Sequence, residues 1–239
     1  MISLFKKALP VRVRRSLEVF LMDHGFPVTK KRGTRGVQQL GHRGYVGSAK
    51  LFDEVGRLQY EFLLKQGLQP FHVLCDIGCG SLRGGRYFLE YLDKGHYLGL
   101  EGEQQLVELA ILHEINKDIY EAKTPEFVFS YSFEFDRFSR SPDFALAVSV
   151  FSHLTETDIR LCLENLAERV LTSCQLFASF FEVQRPYPNF KLSHPHLGFH
   201  YTREQIERLG REAGWSPRYI GEWGSPRNQK MMHFVISRI

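Results

Sequence analysis

Between His72 and Gly85 the sequence reads HVLCDIGCGSLRGG: a short apolar stretch, His72 to Asp76, ends in an acid and runs into Gly78, Gly80, Gly84 and Gly85. An apolar run this short suits a buried strand. Glycines directly after it let the backbone pass close to a ligand and open a helix whose N-terminus can face that ligand. The rest of the chain repeats the strand–helix alternation that such a unit implies. Ser48 is placed to cap a helix running to Gln66, with Leu51, Phe52, Val55, Leu58, Phe62 and Leu63 on one face and Gly67 at its end. Further strands are expected at His96–Leu100, Phe127–Ser130, Ala145–Val150, Leu176–Phe181, Tyr219–Trp223 and Met231–Ile236. Helices are expected after the glycine cluster to about Tyr91, at Gln104–Ile115, Thr155–Val170 and Thr202–Ala213, the last opening with a Thr202-x-x-Gln205 capping box. The pattern predicts an open α/β sheet with helices on both faces. Ligands bind such sheets beyond the carboxyl ends of the strands, which directs attention to residues 76–85, 101–103, 130–136, 149–154 and 182–201.

Composition limits the alternatives. The 239 residues, 43% hydrophobic and 24% charged, suit one generous domain or one domain with a small appendage. The longest apolar run, Phe144 to Val148, is too short to span a membrane. The four cysteines, Cys75, Cys79, Cys162 and Cys174, form neither a disulfide framework nor a C-x-x-C zinc site, so a reducing, cytoplasmic compartment is the default.

The glycine loop departs from two phosphate-binding patterns. A dinucleotide loop, counted from Gly78, needs a small residue where Arg83 stands, and the G-K-[ST] of a Walker loop is absent. Asp76 lies two residues before the first glycine, where it repels a pyrophosphate but suits an ammonium group. Glu101, at the end of the next strand, can accept the hydroxyls of a ribose. Adenosine joined to a cationic amino-acid tail satisfies both acids, which describes S-adenosylmethionine.

Over residues 48–239 the sequence resembles the class I S-adenosylmethionine-dependent methyltransferases. The resemblance implies a Rossmann-like, seven-stranded, mostly parallel sheet with an antiparallel terminal strand. It implies that S-adenosyl-L-methionine is held by Asp76, Gly78, Cys79 and Gly80, by Glu101 with Gly102 after it, and by Ser149 and Val150 at the end of the strand ALAVSV. The final segment, AGWSPRYIGEWGSPRNQKMMHFVI, is similar to the closing hairpin of that family. Arg83 is a candidate for the cofactor carboxylate or, equally, a solvated helix residue. Cys79 reads as a small residue between glycines rather than a nucleophile.

Methyl transfer from a sulfonium requires alignment above all, and a base only for a hydroxyl or protonated amine acceptor. His153, after the fourth strand, and His200, before the Thr202 helix, are the catalytic candidates. Each can instead be a structural histidine. His194, His196 and His200 have an outward likeness to metal ligands, but Pro195 and the lack of a flanking carboxylate argue against a metal. Glu134 and Asp136 read most simply as loop acids. Some of the 20 phenylalanines can wall an apolar site. Arg227, Asn228 and Gln229 lie either in an acceptor pocket or on an exposed turn.

No N-P-P-Y-type tetrapeptide follows the fourth strand and no Pro-Cys pair is present, so DNA is not an expected partner. A small-molecule or glycan acceptor is the preferred reading. The alternatives are a non-catalytic, cofactor-binding regulatory module and an RNA methyltransferase. The last draws on charge: residues 1–50 carry eleven Lys/Arg against Glu18 and Asp23, a net of +9, while the remaining 189 residues carry −5. Val11–His24 reads as a basic helix, in a segment whose Arg-rich composition also allows a transit peptide, and residues 26–47 read as a mobile Gly-rich loop. Residues 1–47 are thus expected as a basic segment, its glycine-rich part a lid, that steers an anionic acceptor or contacts RNA or a membrane surface. Residues 48–239 form the methyltransferase-like domain. Oligomeric state is not legible.

Overall fold

The computed structural model of the chain describes residues 33–170 and 173–236. The expected basic helix at Val11–His24 lies outside them. Strand β1 is Leu74–Ile77, buried along its whole length. Its side chains alternate between two cores, Cys75 and Ile77 facing one and Leu74 the other. That two-sided burial is what an apolar run flanked by helices on both faces requires.

In chain order the other strands are β2 (Tyr97–Glu101), β3 (Glu126–Phe129), β4 (Phe144–Ala147), β5 (Gln175–Glu182), β6 (His200–Tyr201), β7 (Trp215–Gly221) and β8 (Lys230–Ile236). They form one sheet in the order β3-β2-β1-β4-β5-β8-β7, with the two-residue β6 added in parallel beside β5. Only β8 runs antiparallel to its neighbours β5 and β7. The seven expected strands and the antiparallel closing strand are therefore present, with β6 in addition.

The helices are α1 (Gly33–Tyr45), α2 (Phe52–Lys65), α3 (Gly85–Tyr91), α4 (Gln104–Glu114), α5 (Lys117–Lys123), α6 (Glu156–Arg169) and α7 (Arg203–Glu212). Leu63 of α2, Phe88 of α3 and Val107 of α4 pack on one face of the sheet. Ile159 and Leu163 of α6 and Ile206 and Leu209 of α7 pack on the other. Each such side chain, fully buried, contributes about 1.5–3 kcal/mol. The Thr202 capping box forms as expected, with reciprocal Thr202 and Gln205 bonds.

Several local expectations are corrected. Residues 33–45, expected as loop, form α1, kinked at Gly41 where φ is 71°. Val37 and Tyr45 bury against Leu106 of α4, with Leu40 beside them, and this packing outweighs the low helix propensity of the glycines. Ser48 makes no side-chain cap; a 3-10 turn at Ala49–Leu51 precedes α2 instead. β4 stops at Ala147 rather than Val150, because the chain turns at the carboxyl edge of the sheet and Ser149 takes φ 61°. β7 begins at Trp215 rather than Tyr219: Pro217 breaks the strand pattern, but β7 is the outermost strand, paired only with β8, where a missing N–H is tolerated. The short α5, capped by the Asn116 side chain, buries nothing and so left no apolar period to read.

Candidate active site

β1 lies between β2 and β4, and the connections diverge from it to opposite sides of the sheet. The carboxyl ends of these strands, the loop of residues 78–84 and the end of α1 enclose a cavity of ≈ 980 Å³. Asp76, Gly78, Cys79, Gly80, Arg83, Glu101, Gly102, Ser149, Val150 and His153 all line it. His200 does not.

Asp76 is 6% exposed, and its Oδ2 accepts a hydrogen bond of 2.8 Å from the Tyr97 hydroxyl. Burial raises its pKa to about 7, against the lowering effect of the Tyr97 bond and the Arg83 charge; Glu101 adds to the rise. A buried carboxylate of this kind favours a cationic partner.

The two central glycines are required by geometry. Gly78 (φ 64°) and Gly80 (φ 56°) occupy the left-handed region. A Cβ on Gly78 would lie 2.7 Å from Val150 Cγ2, and one on Gly80 would lie 2.9 Å from Val46 Cγ1. The Gly78 and Cys79 N–H groups donate to the Leu100 carbonyl at 2.7 and 3.1 Å, and the Gly80 N–H donates to Glu101 Oε2 at 2.9 Å. The first three loop amides, of Gly78, Cys79 and Gly80, are thus tied back to β2 rather than offered to a phosphate. Cys79 is buried, and burial with the nearby carboxylates pushes its thiol pKa well up, which leaves it unreactive.

Glu101 ends β2 with its Oε1 accepting from the Gly102 and Glu103 N–H groups at 2.8 and 3.0 Å. Three backbone donors therefore fix its orientation. Burial raises its pKa, and those bonds act in the opposite direction. Tyr131 lies across Gly102, leaving no space there for a Cβ, and its hydroxyl bonds Glu103.

At the end of β4 a buried polar network holds the turn. The Ser149 N–H donates to Ser179 Oγ at 2.8 Å, the Ser149 and Ser179 hydroxyls both donate to Gln229 Oε1, and Gln229 Nε2 donates to Ser152 Oγ. Gln229 is 1% exposed and serves this network, Asn228 lies exposed on the turn, and Arg227 faces the cavity.

His153 closes the 3-10 turn Phe151–His153. The loop after β5 is stitched to that turn, its Phe199 N–H donating to the Ser152 carbonyl and its His194 N–H to the His153 carbonyl. Nδ1 of His153 lies 2.7 Å from the Leu197 carbonyl. A carbonyl only accepts, so Nδ1 carries the proton and Nε2 is left with its lone pair. Burial lowers the ring pKa to about 4; the Leu197 bond opposes this, and Arg227 and His196 reinforce it.

The remaining candidates are placed elsewhere or otherwise engaged. The His200 ring stacks on Phe181 and contacts Tyr187, away from the cavity wall. Glu134 pairs with Arg137 at 3.1 Å, and neither Glu134 nor Asp136 lines the cavity. His194 and His196 line it, the His196 N–H donating to His194 Nδ1 and the His196 ring meeting Tyr45 edge-on. Among the described residues no group of three His, Cys, Asp or Glu side chains is placed to hold a metal. The sequence reading did not single out Tyr131, Tyr45 or Val46 as wall residues. Tyr45 and Val46 carried no motif, and Tyr131 could have been flagged only as an aromatic two residues beyond β3.

No protein-family model and no curated protein sequence matches the chain. Solved structures do. Magnesium protoporphyrin IX methyltransferase from Synechocystis with bound SAH aligns at 16% identity and TM-score 0.57, over 84% of this chain and 92% of that one. Human N-acetylserotonin methyltransferase in complex with SAM aligns at 12% identity and TM-score 0.61, over 92% of this chain and 62% of that one. The DhpI–SAH complex aligns at 13% identity and TM-score 0.59, over 86% and 100%. At such identities the likeness is one of fold.

Proposed function

We propose that this chain, which has the fold of the class I S-adenosylmethionine-dependent methyltransferases, binds S-adenosyl-L-methionine and transfers its methyl group to a small or saccharide-like acceptor. One observation carries the reading: the buried Asp76 and the backbone-fixed Glu101 face one cavity across a glycine loop whose Gly78, Cys79 and Gly80 amides are bonded to β2. That arrangement favours an ammonium and a ribose over a phosphate.

Asp76 receives the ammonium of the cofactor, Arg83 its carboxylate and Glu101 its ribose, while Tyr131 beside Gly102 offers an aromatic surface to the adenine. Ser149 and Val150 form the floor beneath the sulfonium, held by the Gln229 network. Held by these residues, the cofactor would supply an electrophilic methyl group to the acceptor. Nε2 of His153, unprotonated at neutral pH, takes the acceptor's proton. Its low basicity is offset because the sulfonium charge disappears as the imidazolium forms, so the net charge of the cavity is unchanged. Residues 33–47 act as the lid, since Leu40, Gly44, Tyr45 and Val46 complete the cavity wall. The four cysteines are free and buried, which supports a reducing, cytoplasmic setting.

Incubation of the protein with methyl-labelled cofactor and fractionated cell extract tests the reading. Label is expected in the small-molecule or glycan fraction. Label confined to RNA or protein, or found in no fraction, contradicts it.

A further inference from the structure

We propose that the acceptor carries an anionic group, a carboxylate or a phosphate, which Arg227 receives beside His153. The proposal rests on the methyltransferase reading above and adds the charge of the acceptor to it.

Arg227 lies in the turn between β7 and β8, half-buried, with its guanidinium 5.7 Å from the centre of the Phe181 ring. No carboxylate among the described residues pairs with it, whereas Arg43 and Arg86, on α1 and α3, both pair with Glu114. A second guanidinium comes close: a methyl group built on Gly47 would lie 3.9 Å from Arg227 Nη1 and 4.0 Å from Arg83 Nη1. Arg83 is 8% exposed; among the described residues its Nε is buried without a partner, and its Nη1 donates to the Val46 carbonyl at 3.3 Å. Asp76 offsets part of the Arg83 charge, but no carboxylate among the described residues pairs with Arg227, and two such cations turned into one cavity call for anions.

The cofactor brings one carboxylate, and Arg83, next to the glycine loop and Asp76, is the residue placed for it. Arg227 is left over. Arg227, Arg83 and His153 line the same cavity, and the Arg227 charge lowers the proton affinity of both other groups. The other carboxylates of the cavity are engaged: Glu101 by backbone N–H groups, Glu103 by Tyr131, and Asp158 by Thr155 and Ser193. An acceptor anchored through its anion at Arg227 therefore presents its nucleophile near Nε2 of His153. The same anion cancels the influence of Arg227 on that ring and makes it a better base.

The test uses the full chain saturated with S-adenosylhomocysteine, whose binding is measured first by calorimetry. Inorganic phosphate and acetate are then titrated separately against chloride at constant ionic strength, with Tm as the readout, for the wild type, Arg227→Gln, Arg227→Lys and the surface control Arg137→Gln. The wild type and Arg137→Gln are expected to be stabilised, more by phosphate if the acceptor is a phosphate ester and more by acetate if it is a carboxylate. Arg227→Gln is expected to lose about tenfold or more in apparent anion affinity while retaining S-adenosylhomocysteine binding, and Arg227→Lys to be intermediate. Stabilisation by neither anion, or an undiminished response in Arg227→Gln, overturns the proposal. Failure to bind S-adenosylhomocysteine in the first step overturns the underlying reading instead, and is seen before any anion is added.

Discussion

Asp76 and His153 sit within one cavity and are perturbed in opposite senses. Asp76 is raised from 3.8 to about 7, so the carboxyl contributes most to stability below its unfolded pKa, and that contribution is lost as pH rises towards 7. His153 is lowered from 6.5 to about 4, so its contribution is complete above pH 6.5 and is lost as pH falls towards 4. The two largely cancel between pH 4 and 6.5. Asp76→Asn breaks the cancellation: in urea denaturation the ligand-free variant is expected to gain on the wild type by about 1.4 kcal/mol per pH unit up to about pH 7. The same carboxyl governs the cofactor. Its neighbours are Tyr97, Arg83 and Glu101, and an ammonium needs it ionised, so S-adenosylhomocysteine affinity should fall by about fivefold from pH 7 to pH 6 in the wild type and stay flat in Asp76→Asn. His153→Gln should preserve cofactor binding and reduce turnover by about 10²-fold or more. Asp76 and Glu101 were legible in the sequence because each ends an apolar strand at a spacing that chemistry restricts. The roles of Arg227 and Gln229 were not: positions two residues apart on one turn face a cavity and a buried network, and only the tertiary course of β8 separates them.

Among the elements, α1 shows most clearly how packing overrides local signal. Five glycines between residues 33 and 47 predict a loop, yet α1 docks on α4 through an ion network. The Glu114 side chain, 3% exposed, bonds His42 at 2.7 Å and Arg43 at 2.6 and 2.7 Å, and meets Arg86 at 3.4 Å. These partners hold its pKa below the usual carboxylate value despite burial. Arg43, one of the eleven cations counted in the basic segment, is thus consumed with its neighbour His42 in attaching α1 rather than in steering an acceptor. Glu114→Ala leaves three basic side chains without their shared anion and should destabilise the fold by about 1–3 kcal/mol. Because Tyr45 and Val46 hang from the end of α1, S-adenosylhomocysteine affinity should drop as well, which urea denaturation and calorimetry on the same variant can separate. The β-strands were more legible than α1 because sheet burial demands consecutive apolar residues. Their ends were misjudged where a turn at the sheet edge (Ser149) or an edge-strand proline (Pro217) altered the pattern.

At the scale of the whole molecule, an open α/β sheet was visible in the strand–helix alternation, and the strand order brings residues 76, 101, 149 and 227 from four separate segments to one cavity. The cofactor class proposed was legible for a related reason, since two acids and a glycine loop fall at the ends of adjacent strands. The acceptor was not legible, because its walls come from α1, the loop after β5 and the β7–β8 turn, which share no motif. A ligand touching all of these elements should stabilise the fold as a unit, by about 2.7 kcal/mol at a hundred times its Kd. The central claim is tested most directly by calorimetric titration of the full chain with S-adenosylhomocysteine. The account predicts saturable binding at one site per chain, strongly weakened by Asp76→Asn and by Glu101→Gln. Absence of binding to the folded wild type, or binding left unchanged in both variants, would contradict it.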